Sequence, residues 1–179
     1  MTTLYAFIIL LGVLVTIHEF GHFIAARSVG IRVERFSVGI PPRLASITSI
    51  DDGFLFKLFF FKLVDGKIKW TSVMSKKLKK RNRKGSETEY VIALLPLGGY
   101  VKMAGMIDES MDTNIDYKSD EFQSKNLLQK IWVLSAGVLM NTALAVVVFS
   151  MLGFYNGIPK TKSDPIVFEL QDDMPAQKA

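Results

Sequence analysis

The 179-residue chain has no cysteine. Disulfides and thiolate metal sites are thereby excluded. Histidine is nearly as scarce, with only His18 and His22. No lysine or arginine precedes Arg27, so the N-terminal stretch lacks the basic leader of a secretory signal, and no small-residue cleavage site follows before the histidines. That stretch reads as a retained helix.

Apolar residues are abundant instead, at 49% of the chain with a mean hydropathy of +0.27, oilier than an ordinary soluble protein of this size. They concentrate in Leu4 to Ala26 and Ile131 to Phe154. At about 1.5 Å per residue, each run can cross a hydrocarbon core of about 30 Å. Two membrane spans follow from this. A net charge of +5 would suggest nucleic acid in a soluble protein, but 19 of the 22 basic residues lie between Arg27 and Lys130, flanking the spans at Arg27, Arg32, Arg35, Lys125 and Lys130. This bias predicts a cytoplasmic inter-span region and extracytoplasmic termini, with the lipid bilayer as a partner and no nucleic acid.

After the first span, glycines, β-branched residues and Pro41-Pro42 end the helix near Ser28 to Gly30 and start extended chain. Phe54 to Val73 reads as two strands around an Asp65-Gly66 turn. Its Phe-rich arm either packs on neighbours or sits in the membrane interface, with Lys57 and Lys62 reaching for headgroups. Seven basic residues follow in the nine positions from Lys76 to Lys84, either a solvated loop or an attraction to anionic lipid. Glu87 to Met106 is a second extended region bent at Pro96 and Gly98-Gly99, and Met106 to Lys125 reads as a polar loop leading into a short amphipathic helix.

The first span carries both histidines and its only glutamate. His18 and His22, four apart on a helix, stand on one face and can converge on one cation, while Glu19 lies about 100° round, close enough to take a proton from a metal-activated water. An accidental H-E-x-x-H match is rare, and ionisable groups inside a membrane are costly enough to need a purpose. A proton relay or a buried polar cluster is the competing reading. Gly21 and Ala25 keep the adjacent surface small. Zinc normally takes three protein ligands, and no third is evident; Asp51, Asp52, Glu87 and Asp108 lie in interfacial or loop segments. Asn141 in the second span is either a donor to a substrate backbone or oxyanion, or glue between helices.

The stretches "HEFGHFIAARSVGIRVERFSVG", "ETEYVIALLPLGGYVKMAG" and "LSAGVLMN" together closely resemble the bacterial site-2 protease family, in its regulator-of-sigma-E branch, over about two thirds of the chain. The resemblance implies an intramembrane zinc metalloendopeptidase of the bacterial inner membrane, with Zn2+ held by His18 and His22 and Glu19 as catalytic base. It implies that the region of Gly98, Gly99 and Tyr100 belongs to a membrane-associated β-structure that binds substrate in extended form. Substrates would be transmembrane segments, of anti-sigma-factor-like proteins or signal-peptide remnants. The family's third ligand is an aspartate on a later helix, which has no match here, and "PIVFELQDDMPAQKA" resembles the opening of a PDZ domain. The chain is therefore expected to be an N-terminal fragment, inactive alone. Its parts would be a transmembrane helix at 1–28, a cytoplasmic, membrane-associated β-hairpin region at 29–130, a second transmembrane helix at 131–154, and a linker with a truncated PDZ start at 155–179. The segment from about Ala45 to Gly85 is longer than in the simplest members. The competing functions are a non-catalytic module or pseudoprotease that binds transmembrane helices, and a soluble zinc peptidase, which the apolar runs disfavour.

Overall fold

The computed structural model of the chain describes residues 2–51, 53–64, 67–79, 85–106 and 117–157. The Asp65-Gly66 turn, Asp52, residues 80–84 of the basic run, Asp108 and the segment resembling a PDZ start lie outside them. By compactness the chain divides into Met1–Leu144 and Ala145–Ala179, and the candidate site lies within the first unit.

Helix α1 runs from Thr2 to Ser28. Its end is built by Gly30, whose φ of +69° lets Ile31 N–H donate to Ala26 O at 2.9 Å and Gly30 N–H to Arg27 O at 3.2 Å. This pair of bonds satisfies the last carbonyls and turns the chain out of the helix. Four strands follow: β1 Val33–Ile50, β2 Gly53–Val64, β3 Lys67–Lys79 and β4 Glu89–Met103. They form one sheet in the order β3-β2-β1-β4.

β1 and β4 are long and each folds back on itself. Pro41 and Pro42 cannot donate ladder bonds, and β1 bends there; β4 bends around Pro96 and Gly98. Val33–Val38 consequently lies opposite Met103–Gly99, whereas Arg43–Thr48 lies opposite Ala93–Glu89. Arg35–Val38 is also in register with Glu89–Ile92, so the first half of β4 sits between the two halves of β1. An ion-pair cluster fastens this junction: Arg35 Nε meets Glu89 Oε2 at 2.6 Å and Arg43 Nη1 meets it at 3.5 Å. Burial alone would raise the Glu89 pKa, but its hydrogen bond to Arg35 and the charges of Arg35 and Arg43 outweigh burial and hold it below the usual carboxylate value.

β2 and β3 extend the sheet outward as a ribbon, from Ala45 opposite Leu58 through Val64 opposite Lys67. The expectation of a local hairpin thus becomes the outer half of a four-stranded sheet. Phe60 and Phe61 are each 59% exposed. They gather around Trp70, whose Nε1–H donates to Arg43 O at 2.6 Å.

The buried core is small and sits where α1 ends: Ala25, Ala26, Ile31, Val33, Met103, Phe122, Val133 and Ala136. The expected amphipathic helix before the second span is instead a single 3-10 turn, Phe122–Ser124. Backbone bonds from Arg32 N to Asp120 O and from Phe122 N to Ala104 O, both 2.8 Å, tie this turn to the sheet. Helix α2, Leu127–Asn156, starts four residues earlier than expected. Its start is a reciprocal cap, with Gln129 N–H on Asn126 Oδ1 at 2.9 Å and Asn126 N–H on Gln129 Oε1 at 3.2 Å. Both α1 and α2 are long and apolar enough to cross a membrane.

Candidate metal centre

Helical spacing places His18 and His22 on one face of α1, and the structure brings their Nε2 atoms to 3.2 Å from each other. Two ligands of a tetrahedral zinc at about 2.0–2.1 Å lie about 3.3 Å apart. The pair therefore fits one edge of such a site. His22 Nδ1 lies 2.7 Å from Val133 O. A carbonyl can only accept, so Nδ1 carries the proton and Nε2 offers a lone pair.

Helix α2 is shaped to this pair. Val133, Gly137 and Asn141 recur every four residues and share a face. A Cβ on Gly137 would stand 2.5 Å from His18 Nε2 and 2.6 Å from His22 Nε2, so only glycine leaves the space towards which both imidazoles point. On the opposing helix, a Cβ on Gly21 would meet Ala136 O at 2.5 Å, so the small surface expected at Gly21 is where the α2 backbone approaches. Asn141 reaches the other ring edge of His18, with Nδ2 3.4 Å from Nδ1, and its Oδ1 is buried without a partner. Trp132 Nε1–H to Ser28 Oγ, 3.1 Å, closes the helix pair at the α1 end.

Glu19 is half-buried on α1 next to His18. Among the described residues no group of three or more His, Cys, Asp or Glu side chains is gathered to hold a metal. Asp51, considered as a third ligand, accepts the Gly85 N–H at 2.9 Å at the far end of β1.

The glycines of "LGGY" pack β4 on α1. Gly98 is buried against Val15, and its carbonyl accepts from Thr16 Oγ1 at 3.5 Å, two residues before His18. Gly99 pairs with Val38, and Tyr100 pairs with Ser37 and helps to favour the charged form of Arg35. Gly98 and Gly99 thus lie within a turn of His18 along α1, whereas Tyr100 acts on Arg35 of the ion-pair cluster. Two contributors escaped sequence reasoning in their roles. The Val133 carbonyl carries no side-chain signal at all, and Gly137 was visible only as a glycine four residues before Asn141.

The model of peptidase family M50 matches residues 6–70 and 58–177, two segments that overlap within the ribbon of β2 and β3. The chain is 35% identical to protease RseP of Yersinia pestis over 177 residues, which are 99% of this chain and 30% of that relative. It is 34% identical to the regulator of sigma-E protease RseP of Escherichia coli over 175 residues, 97% of this chain and 30% of the relative. A Clostridium acetobutylicum protein, provisionally named a zinc metalloprotease, is 33% identical over 174 residues, 96% of this chain and 37% of its own length. The chain thus spans about a third of the length of these curated relatives. With family matches on both sides of the ribbon and the histidine pair in place, the chain belongs to peptidase family M50, the site-2 proteases.

Proposed function

We propose that the chain supplies the zinc-binding helix pair and the substrate-facing sheet of an intramembrane metalloendopeptidase in the bacterial inner membrane. The observation that carries this reading is the convergence of His18 Nε2 and His22 Nε2, 3.2 Å apart, over the gap left by Gly137. His18 and His22 would hold a zinc ion, and the Clostridium relative is provisionally named a zinc metalloprotease. Bound zinc supplies Lewis-acid activation of water and of the scissile carbonyl. Glu19, one position from His18, takes the proton of the attacking water and hands it to the leaving amine.

The membrane setting rests on exposure as well as length. Of the most apolar windows, only 6% of α1 and 17% of α2 is buried inside the molecule, unlike the core helices of a soluble protein. The positive residues between the helices support a cytoplasmic location for that region, with the termini outside. Substrates are transmembrane segments of anti-sigma-factor-like proteins or signal-peptide remnants, and they bind unwound, because a helical peptide bond is shielded by its own hydrogen bonds. An unwound segment pairs with the sheet near Gly98, Gly99 and Tyr100 by added main-chain hydrogen bonds, which accept many sequences.

The test is zinc content and cleavage of a model transmembrane substrate by the full-length protein and by its Glu19→Gln variant. Cleavage should fall by about 10²–10⁴-fold with zinc retained. Undiminished cleavage by the variant would remove Glu19 as the base. Zinc bound without any cleavage by the unaltered protein would leave a transmembrane-helix-binding module in place of an enzyme.

A further inference from the structure

We propose that Asn141 is a positioning residue for the metal: its side-chain carbonyl takes the Nδ1 proton of His18 and so presents the His18 Nε2 lone pair, as the Val133 carbonyl does for His22. The inference rests on the zinc reading above and adds to it a role for α2.

A histidine ligates through the nitrogen that has no proton, so the partner of its other nitrogen decides whether it can ligate. For His22 that decision is made by backbone, at 2.7 Å from Val133 O. For His18 the only partner at Nδ1 among the described residues is the Asn141 amide, at 3.4 Å. Two proton arrangements are self-consistent. In the first, Asn141 Nδ2–H donates to His18 Nδ1, and the His18 proton sits on Nε2, shared with His22 Nε2 across 3.2 Å. In the second, the amide is turned by half a rotation, Oδ1 accepts from Nδ1–H, and two lone pairs face each other across the same 3.2 Å.

Amide nitrogen and oxygen are nearly equal in size, so the rotation needs no backbone movement. One amide atom stays buried without a partner in either orientation, since Oδ1 has none as placed. The orphan therefore does not choose between them. A cation does, because two lone pairs at that separation repel unless a positive charge lies between them, whereas a proton on Nε2 closes the site to metal. Asn141 can serve both arrangements because it is a donor at one atom and an acceptor at the other. The geometry of α2 supports the assignment: Val133, Gly137 and Asn141 supply, on three successive turns, a carbonyl for His22, a gap, and a rotatable amide for His18.

The test uses Asn141→Leu, which has no acceptor, and Asn141→Asp, which has an acceptor and no donor. Zinc affinity is measured on the intact protein by competition with a chromogenic chelator, and ring-nitrogen NMR of ¹⁵N-histidine reports which nitrogen is protonated. Asn141→Leu should lose about 10–100-fold in zinc affinity. Asn141→Asp should stay within about threefold of the parent, with His18 Nδ1 protonated in both. The His22 Nδ1–H signal, held by Val133, should be unchanged in all three and shows that the helix pair is intact. Parental affinity in Asn141→Leu, or equal losses in both variants, would overturn the role of Asn141. If the parent protein binds no zinc, or His18→Ala binds it undiminished, the metal site itself is refuted and the inference with it.

Discussion

The pair of helices around His18 and the ribbon of β2 and β3 are opposite solutions to the same apolar composition. Between α1 and α2, small residues bring backbones so close that an added methyl group on Gly21 or Gly137 would collide at 2.5 Å with the neighbouring helix or the imidazoles. In the ribbon, large residues such as Phe60, Phe61 and Met74 stand 49–59% exposed and the sheet is held by main-chain pairing. The difference teaches that tolerance here is local. Where side-chain atoms set the distance between functional groups, single methyl groups matter; on the exposed side chains of the ribbon they do not, although its backbone approach at Gly53, where a Cβ would meet Leu78 O, is as close as that between the helices.

The sharpest way to break that contrast is Gly137→Ala. Overpacking by one methyl group should cost about 1–3 kcal/mol, and because the methyl group points at both Nε2 atoms the loss should appear as weakened zinc affinity rather than a lowered melting temperature. An affinity equal to the parent's would mean that the helices part easily, and the contrast would fail.

Next comes the ion-pair junction between the two regions. Glu89→Gln leaves Arg35 without its charged partner and should destabilise the sheet by about 1–3 kcal/mol. The pH dependence follows from the lowered pKa of Glu89. A carboxylate whose folded pKa is depressed contributes stability above its unfolded value of about 4.3, and that stability is lost as pH falls through the folded value. Melting temperature should therefore hold above about pH 5 and drop below about pH 4, with a shallower drop in Glu89→Gln.

Trp70→Phe keeps the aromatic cluster but removes the bond to Arg43 O, and should cost about 0.5–1.5 kcal/mol in thermal melts. Phe60→Ser, with the side chain 59% exposed, should change stability by no more than about 0.5 kcal/mol. A larger loss there would show that the ribbon is packed against something, and would narrow the contrast.

What the sequence disclosed divides along the same line. The convergence of the histidine pair and the end of α1 were legible because they depend on spacing within a single helix and on one glycine with positive φ. The pairing of β1 with β4 was not, since Ser46 meets Val91 only after the intervening ribbon is looped out, and no local pattern encodes a partner that far along the chain. The start of α2 was misjudged because the cap formed by Asn126 and Gln129 precedes the apolar run that marked the span. The Val133 carbonyl could not be read at all, because every residue has one.

The bond between His22 and Val133 joins residues 111 apart, and that distance sets an order of construction. At about 5–20 residues per second, the ribosome makes Val133 about 5–20 s after His22. Through that interval both imidazoles on α1 lack their partners on α2. The ribosome makes the parts in chain order, first helix, then sheet, then second helix, so a slowed or stalled ribosome between residues 30 and 130 would leave the histidines without their partners on α2.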